Sequence, residues 1–355
     1  MIDAEGTALR PRIDSALQNF FTTTRPALLE VSPDLAPAAD SVADFVLDGG
    51  KRLRPAFCYW GWVGAGGDDP DDAIITASAA LELLQACALI HDDLMDRSDT
   101  RRGRASIHRA FESQHVAGGL HGSAVRFGEA AAVLLGDLCL VWANQMLDGS
   151  AFDPLALHRA RPVFSAMCAE VMAGQFLDVV EQSARTSDLE RSLLVVRYKT
   201  AKYTVERPLH LGAALHGSDP AIPLAYTAYG LPLGEAFQLR DDILGIFGDP
   251  DHTGKPAGDD IREGKRTVLV AAAMTTGTPV ERARLATLLG DGELDATGVA
   301  EARDIITSTG ALDYAEKLID TRLSEAESAI ETAPITPPAR DALLRLAHAV
   351  VRRSV

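Results

Sequence analysis

Two aspartate-rich clusters follow apolar stretches of the sequence, and they are its clearest candidates for chemistry. The first cluster reads HDDLMD at 91–96, and the second reads RDDILG at 240–245. Carboxylates beside apolar surface are costly unless a positive group neutralises them, so both clusters indicate bound cations. Aspartates four residues apart share one face of a helix, and Mg²⁺ on such oxygens keeps coordination positions open for phosphate. The two clusters predict diphosphate chemistry on several Mg²⁺ ions held between two helices.

Basic residues accompany both acidic clusters. GKRLRP occupies residues 50–55, and Arg101 and Arg102 follow the first cluster after a short loop. Lys255 and Lys265 follow the second cluster. Arginine presents a planar fork to phosphate oxygens, and lysine presents a compact charge. Because the order of acidic cluster and basic loop occurs twice, it indicates phosphate binding more strongly than either basic group alone.

Helices must position these residues, because apolar residues recur at helical spacing and strand-like alternation is nearly absent. Alanine-rich runs such as TASAALELLQACALI favour long, closely packed helices. The helix predicted at 71–96 places five positions on one stripe that leads into the first cluster: Leu81, Gln85, Ala88, Asp92 and Asp96. The other predicted helices are 11–25, 36–48, 52–65, 105–118, 125–147, 155–183, 188–215, 221–247, 265–275, 279–289, 296–308, 311–331 and 336–352.

Composition restricts the class of protein. The chain has 355 residues, of which 47% are hydrophobic, and we expect one domain over 1–355 with a flexible start of roughly ten residues. A net charge of −16 argues against nucleic acid or an anionic membrane as the main partner. The four cysteines form no CxxC pair and are predicted to be buried thiols in a reducing compartment. The sequence shows no signal peptide and no predicted membrane span, so a cytoplasmic protein is expected.

A series of motifs connects these features along most of the chain. In order they are GGKRLRP at 49–55, LIHDDLMDRSDTRRGRASIH at 89–108, GDLCL at 136–140, GQFLD at 174–178, YKTAKYT at 198–204 and FQLRDDILGIFGDPDHTGKPAGDDIREGKRT at 237–267. In these motifs the sequence resembles the trans-isoprenyl diphosphate synthases, also called polyprenyl synthetases. The resemblance implies an all-α fold, a single-domain antiparallel helical bundle around a deep central cavity, and a homodimer.

The resemblance also implies roles for individual residues. Mg²⁺, with three ions bridging the aspartates and the allylic diphosphate, is implied to bind at five acids: Asp92, Asp93, Asp96, Asp241 and Asp242. Isopentenyl diphosphate is implied to bind at Lys51, Arg54, Gln85 and Arg102. The allylic diphosphate or its developing cation is implied to bind at Arg101, Lys199, Thr200, Gln238, Lys255 and Lys265. The residues implied to act in catalysis are Asp92, Asp96, Arg101, Lys199, Asp241 and Lys255.

The second acidic cluster departs from one pattern of the family. Gly245 stands where farnesyl-type members commonly have a third aspartate, while some geranylgeranyl-type members have the same ending. A metal-ligand shell built from three acids of this motif is therefore ruled out. The expected reaction needs no protein nucleophile, because ionisation of an allylic diphosphate requires neutralisation of the leaving charge. His91 and His108 are accordingly expected to be structural.

Three other functions compete with prenyl transfer. A class I terpene cyclase would share the first cluster, but it has no second substrate for GKRLRP and the arginine pair to bind. An HD-type metal phosphohydrolase would use His91 and Asp92, but it would not need Asp96 or DDILG. A non-catalytic partner subunit would have degraded acidic motifs, whereas both are intact. Mg²⁺-dependent condensation of isopentenyl diphosphate with allylic diphosphates is the favoured function.

The length of the product is predicted from the residues before the first cluster. By family resemblance, Cys87 and Ala88 form the floor of the growing chain's cavity, and both are small. Leu84 and Leu81 lie deeper on the same helix and could stop the chain. These residues favour geranylgeranyl diphosphate, and farnesyl diphosphate or longer products are the open alternatives.

Overall fold

The computed structural model describes residues 9–68, 72–184, 188–217, 219–248 and 258–352. Nearly all of the described chain is helical, which confirms the predicted all-α class. The predicted flexible start falls mainly on residues 1–8, which lie outside the described residues. The first seven α-helices are α1 Leu9–Val31, α2 Ala36–Leu47, α3 Leu53–Gly64, α4 Asp72–Met95, α5 Ile107–Ala117, α6 Ala124–Asp148 and α7 Pro154–Ala184.

The second part of the chain contains shorter helices around one long one. These helices are α8 Leu189–Val195, α9 Arg207–His216, α10 Ala221–Phe247, α11 Asp259–Arg262, α12 Val268–Thr276, α13 Pro279–Leu288, α14 Ala296–Ser308, α15 Ala311–Glu331 and α16 Pro337–Val351. Most lie close to their predicted bounds. The largest extension is in α1, which was expected to end before Pro26 but continues to Val31. An ion pair of 2.7 Å between Arg25 and Asp40 of α2 holds this extended part.

The chain forms two compact units, and the first consists of Met1–Pro162 and Pro208–Ser218. Helix α4 is its centre and packs against α1, α2, α3, α5 and α6. The alanines of α4 let neighbouring helices approach closely, and most of its side chains are buried. Helices α3 and α9 also approach closely, since a methyl group on Gly61 would lie 2.8 Å from the Leu209 Cα.

The second unit consists of Val163–Arg207 and Asp219–Val355. Helix α10 is its centre and packs mainly against α15 and the Val196–Glu206 segment. The buried Tyr229 donates a hydrogen bond of 2.7 Å to the Leu343 carbonyl of α16, and Arg240 pairs with Glu316 of α15. The predicted single domain and its central cavity stay predictions.

Two local structures differ from the sequence-based expectation. The predicted helix over 188–215 is interrupted, because Val196–Glu206 is a π-helix between α8 and α9. A two-stranded antiparallel hairpin, β1 Thr100–Arg101 and β2 Arg104–Ala105, follows the first cluster. Single-turn π-bulges are frequent at functional sites, and this π-helix carries two predicted substrate residues.

Two helices are long and apolar enough to cross a membrane by length and composition, α4 and α7. In the most apolar window of α4, 72% of the residues are buried in the protein, compared with 22% in α7. The core helices of soluble proteins pass the same test, and the burial of α4 identifies it as such a helix. The apolar surface of α7 is more exposed, with Met172 and Phe176 among its exposed side chains.

Candidate active site

The first acidic cluster lies at the C-terminal end of α4. Asp92 and Asp96 are partly exposed, whereas Asp93 between them is buried. Asp92 and Asp96 are four residues apart and share the face that also carries Gln85 and Ala88, which are partly exposed. Leu81, deeper on this stripe, is fully buried. From Gln85 to Asp96 the predicted stripe is therefore partly accessible, with carboxylates at its end.

The hairpin places Arg101 against this cluster. The Arg101 Nε donates a hydrogen bond of 2.8 Å to Asp93 Oδ1, and Arg101 Nη2 also pairs with this oxygen. The same guanidinium nitrogen lies 3.7 Å from Asp92 Oδ2. The hairpin is tied to the helix end by a 2.9 Å hydrogen bond from the Ser98 backbone N–H to the Asp93 carbonyl. Asp93 stays a predicted metal ligand, but the structure shows it orienting Arg101.

The GKRLRP loop contains one structural arginine that the sequence did not reveal. Arg52 is buried in the left-handed conformation, and its guanidinium binds Glu82 at 2.6 Å, Asp14 at 2.8 Å and the Val46 carbonyl at 2.9 Å. Burial alone lowers the pKa of Arg52, but the two carboxylates outweigh it and raise that pKa. Arg52 therefore anchors the loop, while Lys51 is exposed and Arg54 is partly exposed.

The loop and Arg102 are brought together. Arg102 donates a hydrogen bond of 3.0 Å to the Asp48 carbonyl and stacks over the Phe45 ring. A side chain on Gly50, whose φ is +100°, would lie 3.6 Å from Arg102 Nη2. Burial and the neighbouring Arg52 and Arg101 lower the pKa of Arg102, although Glu82 opposes this. Arginines this close repel one another, so an anionic ligand would be favoured here.

Gln85 extends the same region along α4. Its side-chain carbonyl oxygen is buried and has no hydrogen-bond partner among the described residues. Such an unsatisfied group is costly in a folded protein and needs an explanation. A polar ligand on the accessible face of α4 would satisfy it. Lys51, Arg54, Gln85 and Arg102, all predicted for isopentenyl diphosphate, lie in the first unit.

The second acidic cluster lies near the C-terminal end of α10. Asp241 is partly exposed and Asp242 is buried. The Thr200 hydroxyl donates to Gln238 Oε1 at 2.6 Å, and Gln238 Nε2 donates to Asp242 Oδ1 at 2.7 Å. Burial raises the pKa of Asp242 to about 8, with charge repulsion from Asp260 and Asp241 adding to it and the Gln238 hydrogen bond opposing it. Three predicted residues are thus joined in one hydrogen-bonded chain.

Lys199 lies in the same unit as the second acidic cluster and is held by an ion pair and by close backbone packing. Its ammonium pairs with Asp178 of α7 at 2.7 Å. The π-helix lies very close to α7 and α10, because a methyl group on Gly174 would lie 2.8 Å from the Lys199 Cα. A methyl group on Gly234 would lie 2.7 Å from the Ala201 Cβ. These glycines fix the backbone around Lys199 and Thr200.

The remaining predicted residues are two lysines, two histidines and two residues predicted to control chain length. Lys265 pairs with Glu263 at 2.6 Å and lies 3.6 Å from Asp260, whereas Lys255 lies outside the described residues. His91 contacts the Val133 carbonyl at 3.2 Å, and buried His108 contacts Ser106 at 3.1 Å, as expected of structural histidines. Leu84 and Cys87 are buried, with Cys87 Sγ 3.8 Å from His91 Nδ1.

The donor atoms of both clusters suit Mg²⁺. In the described part of the chain, no three His, Cys, Asp or Glu side chains are grouped so as to hold a metal by themselves. Mg²⁺ is usually bound by one or two carboxylates together with substrate phosphates and waters. Pairs of hard oxygen donors at Asp92 and Asp96 and at Asp241 and Asp242 meet that requirement. The residues present therefore fit Mg²⁺ bound with a diphosphate.

Comparison with known proteins identifies the family. The family model described as polyprenyl synthetase matches residues 37–306. The chain belongs to the polyprenyl synthetase family. Members of this family similar to the chain include a short chain isoprenyl diphosphate synthase of Methanothermobacter thermautotrophicus, 30% identical over 93% of this chain and 94% of the relative. The octaprenyl diphosphate synthase of Escherichia coli is 31% identical over 87% of each chain.

Solved structures of polyprenyl synthetases agree with the fold. A geranylgeranyl pyrophosphate synthase from Corynebacterium glutamicum, crystallised with isoprenyl diphosphate and magnesium, has a TM-score of 0.94 and 38% identity, covering 98% of this chain and 99% of that one. The protein is an all-α prenyltransferase with the isoprenoid synthase fold. Membership of the polyprenyl synthetase family excludes the alternative of an HD-type metal phosphohydrolase.

Proposed function

We propose that the protein condenses isopentenyl diphosphate with allylic diphosphates to make geranylgeranyl diphosphate, using three Mg²⁺ ions. The proposed product length rests on the residues of α4 that precede the first acidic cluster. Ala88 and Cys87 are small and lie one turn before Asp92, while the fully buried Leu84 and Leu81 follow deeper in the helix. Small residues admit a growing chain beyond farnesyl length, and the packed leucines limit it. The similar Corynebacterium enzyme is a geranylgeranyl pyrophosphate synthase.

The reaction begins with cleavage of the allylic carbon–oxygen bond, whose electron pair leaves on the diphosphate. Asp92, Asp93, Asp96, Asp241 and Asp242 would hold Mg²⁺, which would supply positive charge for the leaving diphosphate. Arg101 adds a positive charge at the first cluster, in an orientation fixed by Asp93. In a site with little water these charges are worth more than in solution.

The residues of the second unit bind the allylic substrate in this proposal. Lys199, held by Asp178, and Lys265, held by Glu263, supply positive charge for the diphosphate. The oxygens of Thr200 and Gln238 are available to the developing allylic cation. Lys255, also proposed to bind the allylic diphosphate, lies outside the described residues.

Condensation follows ionisation. The double bond of isopentenyl diphosphate attacks the allylic cation and forms the new carbon–carbon bond, which leaves a cation on the neighbouring carbon. Loss of a proton from the adjacent carbon restores a double bond, and the departing diphosphate takes that proton. Lys51, Arg54, Gln85 and Arg102 hold isopentenyl diphosphate during this step. No protein nucleophile is required.

A homodimer in the cytoplasm is part of the proposal. Helix α6 exposes Phe127, Leu134 and Val141, which are seven residues apart and lie along one side of the helix. Exposed apolar patches of this kind mark interaction surfaces on soluble proteins. A second copy of the chain would cover this stripe. Light scattering on the purified protein tests it: a dimer that Leu134→Glu converts to monomer supports the proposal, and a wild-type monomer contradicts it.

Product analysis tests the proposed activity. Purified protein is incubated with Mg²⁺, labelled isopentenyl diphosphate and each of the dimethylallyl, geranyl and farnesyl diphosphates. The products are dephosphorylated and identified by mass spectrometry. Geranylgeraniol as the main alcohol supports the proposal. A longer chain would favour the second candidate, a longer-chain synthase, which the similarity to the octaprenyl enzyme also allows.

A further inference from the structure

Gly245 of α10 has no space for a side chain, because the carboxylate of Asp260 lies over it. A methyl group on Gly245 would overlap the Asp260 carboxylate, lying 2.7 Å from its Cγ and 3.3 Å from its Oδ1. Gly245 is four residues after Asp241, so both lie on the same face of α10. An acidic group is therefore present one turn beyond Asp241, although residue 245 itself carries none.

Asp260 is held in this place by its own short helix. Ile261 is fully buried, and its carbonyl accepts a hydrogen bond of 2.9 Å from the Gly290 backbone N–H. Arg262 Nε donates a hydrogen bond of 2.9 Å to the Leu294 carbonyl. The two residues that follow Asp260 in α11 are thus anchored to other parts of the second unit. The position of the Asp260 side chain over Gly245 follows from a fixed backbone.

The electrostatic surroundings agree with this location. The Asp260 carboxylate lies over the helix face that carries Asp241, one turn further along α10. Asp260 also lies 3.6 Å from the ammonium of Lys265. The Asp260 side chain is 13% exposed, so its charge is only partly screened by water. Asp260 thus belongs electrostatically to the second cluster and links it to Lys265.

We propose that Asp260 is the third acid of the second cluster, supplied by α11 rather than by α10, and that residue 245 is glycine to admit it. This proposal rests on the proposed function, because it assigns Asp260 to the proposed Mg²⁺-binding region. Asp260 contributes its negative charge and its hydrogen-bond acceptors to bound metal and orients Lys265. An aspartate at residue 245 would displace Asp260 instead of adding an acid.

Metal titration of three variants tests this assignment. Mn²⁺ is titrated into wild type, Asp260→Asn, Gly245→Ala and Asp259→Asn in the presence of inorganic diphosphate, and free Mn²⁺ is measured by electron paramagnetic resonance. Asp259→Asn is the matched control, because it removes the same charge from the neighbouring residue of α11. We expect Asp260→Asn to weaken Mn²⁺ binding by about ten- to a hundredfold. Asp259→Asn should bind Mn²⁺ like wild type.

Gly245→Ala tests the same idea without changing any charge. Alanine in place of glycine inside a helix ordinarily stabilises that helix. Here the added methyl group must displace the Asp260 carboxylate, so Mn²⁺ binding should weaken as it does in Asp260→Asn. This variant also keeps the proposal testable if Asp260→Asn does not fold. Thermal melting without metal identifies which variants fold.

Two results in the test variants and one in the control would overturn the role of Asp260. One is Mn²⁺ binding by folded Asp260→Asn with wild-type affinity and stoichiometry, and the other is wild-type binding by Gly245→Ala. An equal loss in Asp259→Asn would also overturn it, because the effect would then be general to charge on α11. A wild-type protein that makes no prenyl product contradicts the proposed function instead, so the two failures are distinguishable.

Discussion

The two acidic clusters have similar sequences, but their buried acids have different partners. In the first, the buried Asp93 is paired with Arg101 from the hairpin that follows it. In the second, the buried Asp242 accepts a hydrogen bond from the neutral Gln238 and faces two further carboxylates, Asp241 and Asp260. The buried acid of the first cluster therefore has an arginine partner, whereas the buried acid of the second has a neutral hydrogen-bond partner and carboxylate neighbours.

This difference indicates a division of labour. A carboxylate with an arginine partner can be ionised and ordered before any ligand arrives. A buried carboxylate facing other acids is stabilised in its charged form only when a cation binds. We expect the second cluster to gain more from bound metal than the first. Loss of a metal ligand should impair both clusters, whereas replacement of the buried acids and loss of substrate contacts should distinguish them.

Loss of one proposed metal ligand from either cluster should have the largest effect. Asp92→Ala and Asp241→Ala should each lower turnover by about 10³-fold, because the leaving diphosphate then loses compensation for its charge. Steady-state turnover with Mg²⁺ checks this, with the exposed Asp99→Ala as control. Near-normal turnover in both variants, or wild-type activity in EDTA, would contradict the mechanism.

Isosteric replacement of the buried acids should change stability in opposite directions. In EDTA, Asp93→Asn should lower the free energy of unfolding by about 3 kcal/mol, because it leaves Arg101 without its buried partner. Asp242→Asn should raise that free energy by about 1 kcal/mol at pH 7, because Asp242, with a pKa raised to about 8, must take up a proton on folding, whereas asparagine is neutral and keeps an acceptor for Gln238. Urea denaturation of the metal-free proteins measures both values. If both variants change the free energy of unfolding in the same direction, the proposed difference between the two clusters is wrong.

The substrate residues should separate the clusters kinetically. Arg54→Ala should raise the KM for isopentenyl diphosphate by about tenfold, because one charge-assisted contact is lost. Lys199→Ala should instead impair use of the allylic substrate and ionisation. Steady-state kinetics with each substrate varied in turn gives both results. If both variants weaken the same substrate alone, the assignment of the two basic groups is wrong.

The smallest change should be in the product alone. Ala88→Phe or Cys87→Phe places a ring one turn before Asp92, where a packed interior cannot absorb the added volume without strain. We expect farnesyl or geranyl diphosphate as the main product while ionisation continues, and Ala88→Ser should leave the product unchanged. Mass spectrometry of the dephosphorylated products decides it. An unchanged distribution in both active Phe variants would mean that the tail does not pass residues 81–88.

The long helices could be predicted because their signal is local. Helix α4 was expected at 71–96 and is Asp72–Met95, since an uninterrupted apolar run determines it. The π-helix and the hairpin were not predicted. The π-helix depends on Gly174 and Gly234 of neighbouring helices, and the hairpin depends on the helix end to which Ser98 binds. Gly174 and Gly234 are distant in sequence from the π-helix, and the two strands of the hairpin are too short to form a repeating pattern.

The sequence by itself determined the helices, the order of the acidic and basic motifs and the absence of a third acid at Gly245, because these properties are read from residue types and spacing. Only the tertiary structure decided what the charged residues do. It made Arg52 a buried anchor, gave Asp93 to Arg101 and placed Asp260 over Gly245. The physical reason is that the energy of a buried charge depends on its neighbours in space, and those neighbours come from other elements of the chain.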